Sequence, residues 1–288
     1  MTIKKILLYI ILISFVSACQ KENNPNNSSI QASSQLNVNY GSQTLQNMDI
    51  FLPAGRSSSS TKVMILIHGG AWVLGDKTDF NNVVDSLKKR LPDYAIFNIN
   101  YRLSAFPLNV FPTQEMDVKS AVEFIYSKRT DYLISDKFVL AGASAGAHLS
   151  MLQAYKNSSP VKIKAVINFF GPVDMVDLYN NPGIVSRQSI AAIVGATPTS
   201  NPSLYQQSSP INFALSGAAC PTLILQGSAD PLVNAVSQSE KLRDKLQIAG
   251  VAVQYVSYAG KGHGDDWGSA IYFDAFNKLQ AFVELHNP

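Results

Sequence analysis

Apolar positions along this chain gather into short runs, and the polar residues between them set two alternating periods. Residues 63–67 are apolar throughout, the pattern of a strand covered on both faces. Residues 95–99, 137–141, 165–169, 222–226 and 253–258 repeat the strand signal. Stretches of helical period intervene at 81–91, 115–127, 145–155, 235–249 and 271–286. Two earlier runs, 36–40 and 48–52, lie too close together for a crossover helix and suit antiparallel strands at a sheet edge. The alternation predicts an α/β chain: a mostly parallel eight-stranded sheet with helices on both faces. No internal repeat is evident.

The pattern weakens between Asp174 and Leu215, where Asn-Pro-Gly, Thr-Pro-Thr and Asn-Pro-Ser break the periodicity. This stretch, about 174–215, reads as a small inserted cap over the sheet, loosely helical and lining a substrate pocket. Residues 20–35 are polar and low in complexity, so 19–35 read as a flexible tether ahead of a domain at 36–288. The serine run 57–60 reads as a loop between strands.

Length and composition agree with one domain, since 288 residues with 46% hydrophobic content can bury a full core. The first residues stand apart. Met1 to Lys5 is a short basic start, and Ile6 to Val16 is an apolar core of eleven residues, short for a bilayer span. Val16-Ser17-Ala18-Cys19 resembles a bacterial lipobox, which implies a signal peptide over 1–18 and lipid attachment at Cys19. The expected location is therefore the cell envelope, as an exported, membrane-anchored lipoprotein, with the outer membrane as one possible site. Loss of Lys4 and Lys5 would take the formal charge from +3 to +1. No basic stripe or nucleic-acid signature is present, so nucleic acid is not an expected partner. With Cys19 lipidated, Cys220 has no partner and reads as a small buried residue.

The chemistry concentrates at the ends of strands. Gly142-Ala143-Ser144-Ala145-Gly146 follows the apolar run 137–141 and precedes a helical stretch. A sharp turn there would present the Ser144 hydroxyl above the sheet as a nucleophile, with small neighbours letting helix and strand pass closely. Of the four histidines, His263 lies in a glycine-rich loop after the last strand, at the same edge as Ser144. His148 would be held by its own helix, His286 lies near the chain end, and His68 belongs to another motif. His263 is the expected base. Asp230, after the strand 222–226, is the expected acid that orients it, with Asp174 as competitor. Asp265 and Asp266 are too close to His263 in sequence to take that role easily. Ile67-His68-Gly69-Gly70-Ala71-Trp72 supplies an expected oxyanion hole from the amides of Gly69, Gly70 and Ala71, with Ala145 after the nucleophile. Trp72 is a candidate substrate-binding wall or a packing residue. No metal or organic cofactor is implied.

The runs 68–77, Asn100-Tyr101-Arg102-Leu103-Ser104, Phe111-Pro112-Thr113-Gln114 with Asp117, the Ser144 turn, and Gly227-Ser228-Ala229-Asp230-Pro231-Leu232-Val233 together resemble the esterase and lipase group of α/β-hydrolases. The resemblance is to the bacterial feruloyl and acetylxylan esterase branch, with kynurenine formamidases nearby, and runs from about Met48 to the end. It implies the α/β-hydrolase fold and a serine carboxylesterase acting on short-chain or polysaccharide-linked acetyl or feruloyl esters. An arylformamidase-type amidase is the alternative, and a non-catalytic binding protein on the same fold the third reading. An oligopeptidase is disfavoured because the chain has no room for the extra propeller domain. Two positions depart from the pattern: Gln226 stands where many relatives have His, and Ala147 where a third glycine is common. Arg102 and Asp117 look like a supporting pair, and Asp76 and Lys77 like loop-fixing residues.

Overall fold

A computed structural model describes residues 30–288. The proposed signal peptide, Cys19 and most of the tether lie outside the described residues. Eight strands form one sheet: β1 (Ser33–Asn39), β2 (Asn47–Leu52), β3 (Lys62–Ile67), β4 (Tyr94–Ile99), β5 (Phe138–Ala143), β6 (Ala165–Phe169), β7 (Thr222–Gly227) and β8 (Val253–Tyr258). Their order across the sheet is β1-β2-β4-β3-β5-β6-β7-β8. The β1–β2 and β2–β4 pairs are antiparallel and every other pair is parallel. This is the α/β-hydrolase fold.

The edge begins earlier than composition predicts. Ser33, Ser34 and Gln35 pair with Leu52, Phe51 and Ile50, so part of the expected tether is strand. Backbone ladder bonds need no apolar side chains, and β1 is exposed along most of its length.

Period-two alternation sends β3 to two cores. Val63, Ile65 and Ile67 face one side of the sheet, while Met64 and Leu66 face the other. The first side is covered by α2 (Thr113–Ser127), α4 (Ala145–Lys156) and, after the short α3 (Arg129–Tyr132), by α8 (Lys241–Ile248). The second is covered by α1 (Asn81–Arg90) and α9 (Ser269–His286). Helix α4 is buried from Ala145 to Tyr155, which explains why its stretch carries no charge before Lys156.

The weakly patterned stretch holds α5 (Met175–Asn180), α6 (Arg187–Val194), α7 (Pro202–Gln207) and a 3-10 turn at Pro210–Phe213. Met175, Leu178, Ile190, Ile193 and Tyr205 anchor it to the core shared with α2 and α4. Its outer side is open: Gln188, Ala191 and Ala192 of α6 face Phe106 across a groove of about 400 Å³. Residues 235–249, expected as one regular helix, begin instead as a π-helical turn over Ala235–Glu240. No helix of the described residues is long and apolar enough to cross a membrane.

Candidate active site

Ser144 sits between β5 and α4 with φ 53° and ψ −119°, a region that costs a non-glycine residue about 1–3 kcal/mol. Its surroundings hold that geometry. The Ser144 amide donates to Phe169 O at 2.8 Å, and His148 N donates to Ser144 O at 3.0 Å. A Cβ on Gly146 would stand 1.9 Å from Ile67 O, and one on Gly142 would stand 2.4 Å from the Gly146 carbonyl. Only glycine lets strand and helix pass at this distance. The Ala147 methyl packs against Gly171, where an added Cβ would stand 2.5 Å from it.

The elbow brings Ser144 Oγ to 2.8 Å from His263 Nε2, and His263 Nδ1 lies 2.7 Å from Asp230 Oδ2. Asp230 Oδ1 accepts from the amides of Leu232 (2.8 Å) and Val233 (2.9 Å). Burial pushes the Asp230 carboxyl pKa up, but the hydrogen bond and charge of His263 and the two amides outweigh it, leaving it below the usual value. An ionised carboxylate only accepts, so Nδ1 carries the imidazole proton and Nε2 is free to take one from Ser144. Phe170 packs on His263 at 4.6 Å between ring centroids. Phe170 also lines an apolar cavity of about 440 Å³ between α1 and α9.

Three loops meet to make this possible. Ala229 N donates to Lys261 O at 2.9 Å and Gly260 N to Ser228 Oγ at 2.8 Å, tying the acid loop to the histidine loop. Asp266 accepts from Gly262 N at 2.9 Å, so this acidic neighbour shapes the His263 loop. The competitor Asp174 is elsewhere: it caps α5 and pairs with Lys241 at 2.6 Å.

The loop after β3 turns through three consecutive left-handed residues, Gly70 (φ 107°), Ala71 (φ 50°) and Trp72 (φ 62°). Its carbonyls are tied back, since Tyr101 Oη donates to His68 O (3.1 Å) and Gly69 O (3.3 Å), and His68 Nδ1 reaches Gly69 O at 2.7 Å. Among the described residues the Gly70 and Ala71 amides donate no hydrogen bond to the chain. Gly69 abuts the nucleophile, a Cβ there lying 3.4 Å from Ser144 Cβ. Ala145 contributes the first amide of α4, which has no acceptor within its helix. Gly69 and Ala145 thus flank Ser144, whose hydroxyl meets the His263 imidazole.

Trp72 is 4% exposed, and its Nε1 donates to His148 Nδ1 at 3.2 Å. This is the packing arrangement, and the substrate-wall assignment is set aside: the indole is engaged inside the core. His148 Nε2 in turn donates to Ser208 O at 2.7 Å, and full burial lowers the ring pKa to about 4. Lys77 is buried against Asp49 at 3.1 Å, and Asp76 caps the following turn, so both fix the loop. Arg102 and Asp117 form a two-pronged pair at 2.6 and 2.9 Å. Sequence reasoning missed Tyr101 as the anchor of the glycine loop and Phe170 as the packing partner of His263. Neither residue type carries a signal of its own. Among the described residues no cluster of His, Cys, Asp or Glu could hold a metal.

The chain matches the model of the BD-FAE family over residues 48–246. It belongs to the BD-FAE family. Esterase LipQ of Mycobacterium tuberculosis is 26% identical to this BD-FAE chain over 221 residues, covering 73% of the chain and 51% of LipQ. The chain spans about half the length of the curated relatives it matches. A truncated carbohydrate esterase from gut microbiota superposes with a TM-score of 0.75 at 27% identity, covering 90% of this chain and 98% of that one. A bifunctional GH43-CE protein of Bacteroides eggerthii superposes with a TM-score of 0.72 at 26% identity, covering 86% of this chain and 38% of that one.

Proposed function

We propose that this BD-FAE protein is a serine carboxylesterase. The observation that carries the reading is the unbroken relay from Ser144 Oγ through His263 to Asp230, at 2.8 and 2.7 Å. Ser144 Oγ attacks the ester carbonyl while His263 Nε2 takes its proton. Asp230 holds the Nδ1–H tautomer and offsets the charge of the imidazolium. The amides of Gly70, Ala71 and Ala145 receive the oxyanion, each worth about 3 kcal/mol of barrier. His263 then protonates the departing alcohol, leaving an acyl group on Ser144. Water, deprotonated by the same imidazole, releases the acid and restores the serine.

The substrates we infer are short acyl or feruloyl esters carried on polysaccharide. The support is the similarity to a truncated carbohydrate esterase, 98% of which the chain covers at 27% identity. Membrane attachment through lipidated Cys19 remains part of this proposal on the strength of the Val16–Cys19 motif. The test compares acetate and ferulate release from acetylated and feruloylated xylan with p-nitrophenyl acetate turnover, for wild type and Ser144→Ala. Release from xylan at a comparable rate, abolished in the variant, is expected. Turnover unchanged in Ser144→Ala would remove the assignment altogether, and turnover of the small ester alone would remove the polysaccharide substrate.

A further inference from the structure

Gln226 is the penultimate residue of β7, fully buried, and its amide is spoken for at every atom. Nε2 donates to Asp230 Oδ2 at 2.9 Å and lies 3.2 Å from both Gly227 O and Val233 O. Oε1 accepts from Ser239 Oγ at 2.7 Å. The amide can point only one way. All three groups on the Nε2 side are acceptors, so a flipped amide would set its oxygen against a carboxylate and two carbonyls. The π-helical turn over Ala235–Glu240 carries the Ser239 hydroxyl that accompanies this choice.

Asp230 Oδ2 therefore receives two donors, Gln226 Nε2 and His263 Nδ1, while Oδ1 receives the Leu232 and Val233 amides. The carboxylate turns about Cβ–Cγ as one rigid plane, so the Leu232 and Val233 amides on Oδ1 and Gln226 Nε2 on Oδ2 restrain the same rotation from opposite ends. Gln226 supplies the restraint on the oxygen that faces His263, from the side of β7. Among these four partners only His263 is titratable, and it exchanges its proton at Nε2 while Nδ1–H stays on Asp230, so the other three donors hold the carboxylate through the whole cycle.

We propose that Gln226 is a positioning residue for the reaction: it locks the Asp230 carboxylate so that Oδ2 stays in line with His263 Nδ1, and it does so as a neutral donor. It touches no substrate and acts wholly through Asp230. The inference rests on the serine-esterase reading and deepens it. Gln226→Met keeps the length of the side chain and removes its N–H groups. The expected result is a fall in kcat for p-nitrophenyl acetate on the order of tenfold with KM unchanged. Gln226→His, which keeps an N–H for Oδ2, recovers most of the rate. In an Asp230→Ala background the Met substitution costs nothing further, because the group it serves is gone.

A wild-type kcat in Gln226→Met overturns the proposal. So does an equal loss in both backgrounds, which would mark Gln226 as part of the strand's packing only. If the Met variant unfolds, Gln226→Glu takes its place: it keeps the shape and turns an acceptor toward Oδ2, and the same loss confined to kcat is expected. The underlying reading fails separately, through an active Ser144→Ala.

Discussion

Gly227 lies so close to the loop of the catalytic base that a Cβ on it would stand 2.2 Å from the carbonyl oxygen of Gly262, one residue before His263. The end of β7 and the histidine loop are thus in backbone contact, and the Asp230–His263 distance depends on it. Gly227→Ala is expected to push the loop outward. A displacement near 1 Å costs a reaction on the order of a hundredfold. The loss should appear in kcat of p-nitrophenyl acetate hydrolysis, together with a lowered melting temperature, because the atoms the methyl meets are the backbone carbonyls of Lys261 and Gly262. An unaltered kcat would mean the loop can yield without moving the imidazole.

The strain at Ser144 separates two inactive variants. Ser144→Ala keeps a Cβ at φ 53°, and Ser144→Gly does not. Relief of about 1–3 kcal/mol is opposed by about 1 kcal/mol from the freer unfolded chain. Both variants should lose turnover, and the glycine variant should unfold at the higher urea concentration. The reverse order would show that the elbow stores no strain.

His148 makes stability depend on pH. Its folded pKa of about 4 lies below the ordinary 6.5, so the unfolded chain binds a proton that the folded one refuses. Its contribution is complete above pH 6.5 and is lost as the pH falls toward 4, by roughly 3 kcal/mol. His148→Gln, which has no such titration, should lose less stability than wild type over that window in urea titrations. Parallel losses would assign the acid sensitivity to other groups.

Asp117 is buried under Arg102 and also accepts from Gln46 Nε2 at 2.7 Å and Arg102 N at 2.9 Å. Asp117→Ala leaves these donors without their acceptor, at a cost of about 3 kcal/mol. Urea unfolding should show the fall directly. A variant of wild-type stability would mean that water replaces the carboxylate.

Much of this arrangement is legible in one dimension. The continuous apolar run of β3 and the fully buried stretch of α4 are dictated by burial on all sides, and burial leaves its mark in composition. Ser144, Asp230 and His263 are legible because each stands just past a strand, where a parallel sheet gathers such ends along one edge. Other features need the fold. Ser33 to Gln35 join β1 through backbone bonds that polar side chains neither help nor hinder. Tyr101, Phe170 and Ser239 matter only for what they touch, and their partners are 33, 93 and 13 residues away. Trp72 shows the limit best. Its identity predicts a large buried surface equally well beside a substrate or within a core, and only the position of His148 decides between them. The sequence by itself determined the order of strands and helices and the reactive groups at their ends, because periodicity and local turn chemistry are properties of neighbours. Tertiary structure alone decided which donors hold each reactive group, because hydrogen-bond partners distant in the chain are chosen by packing.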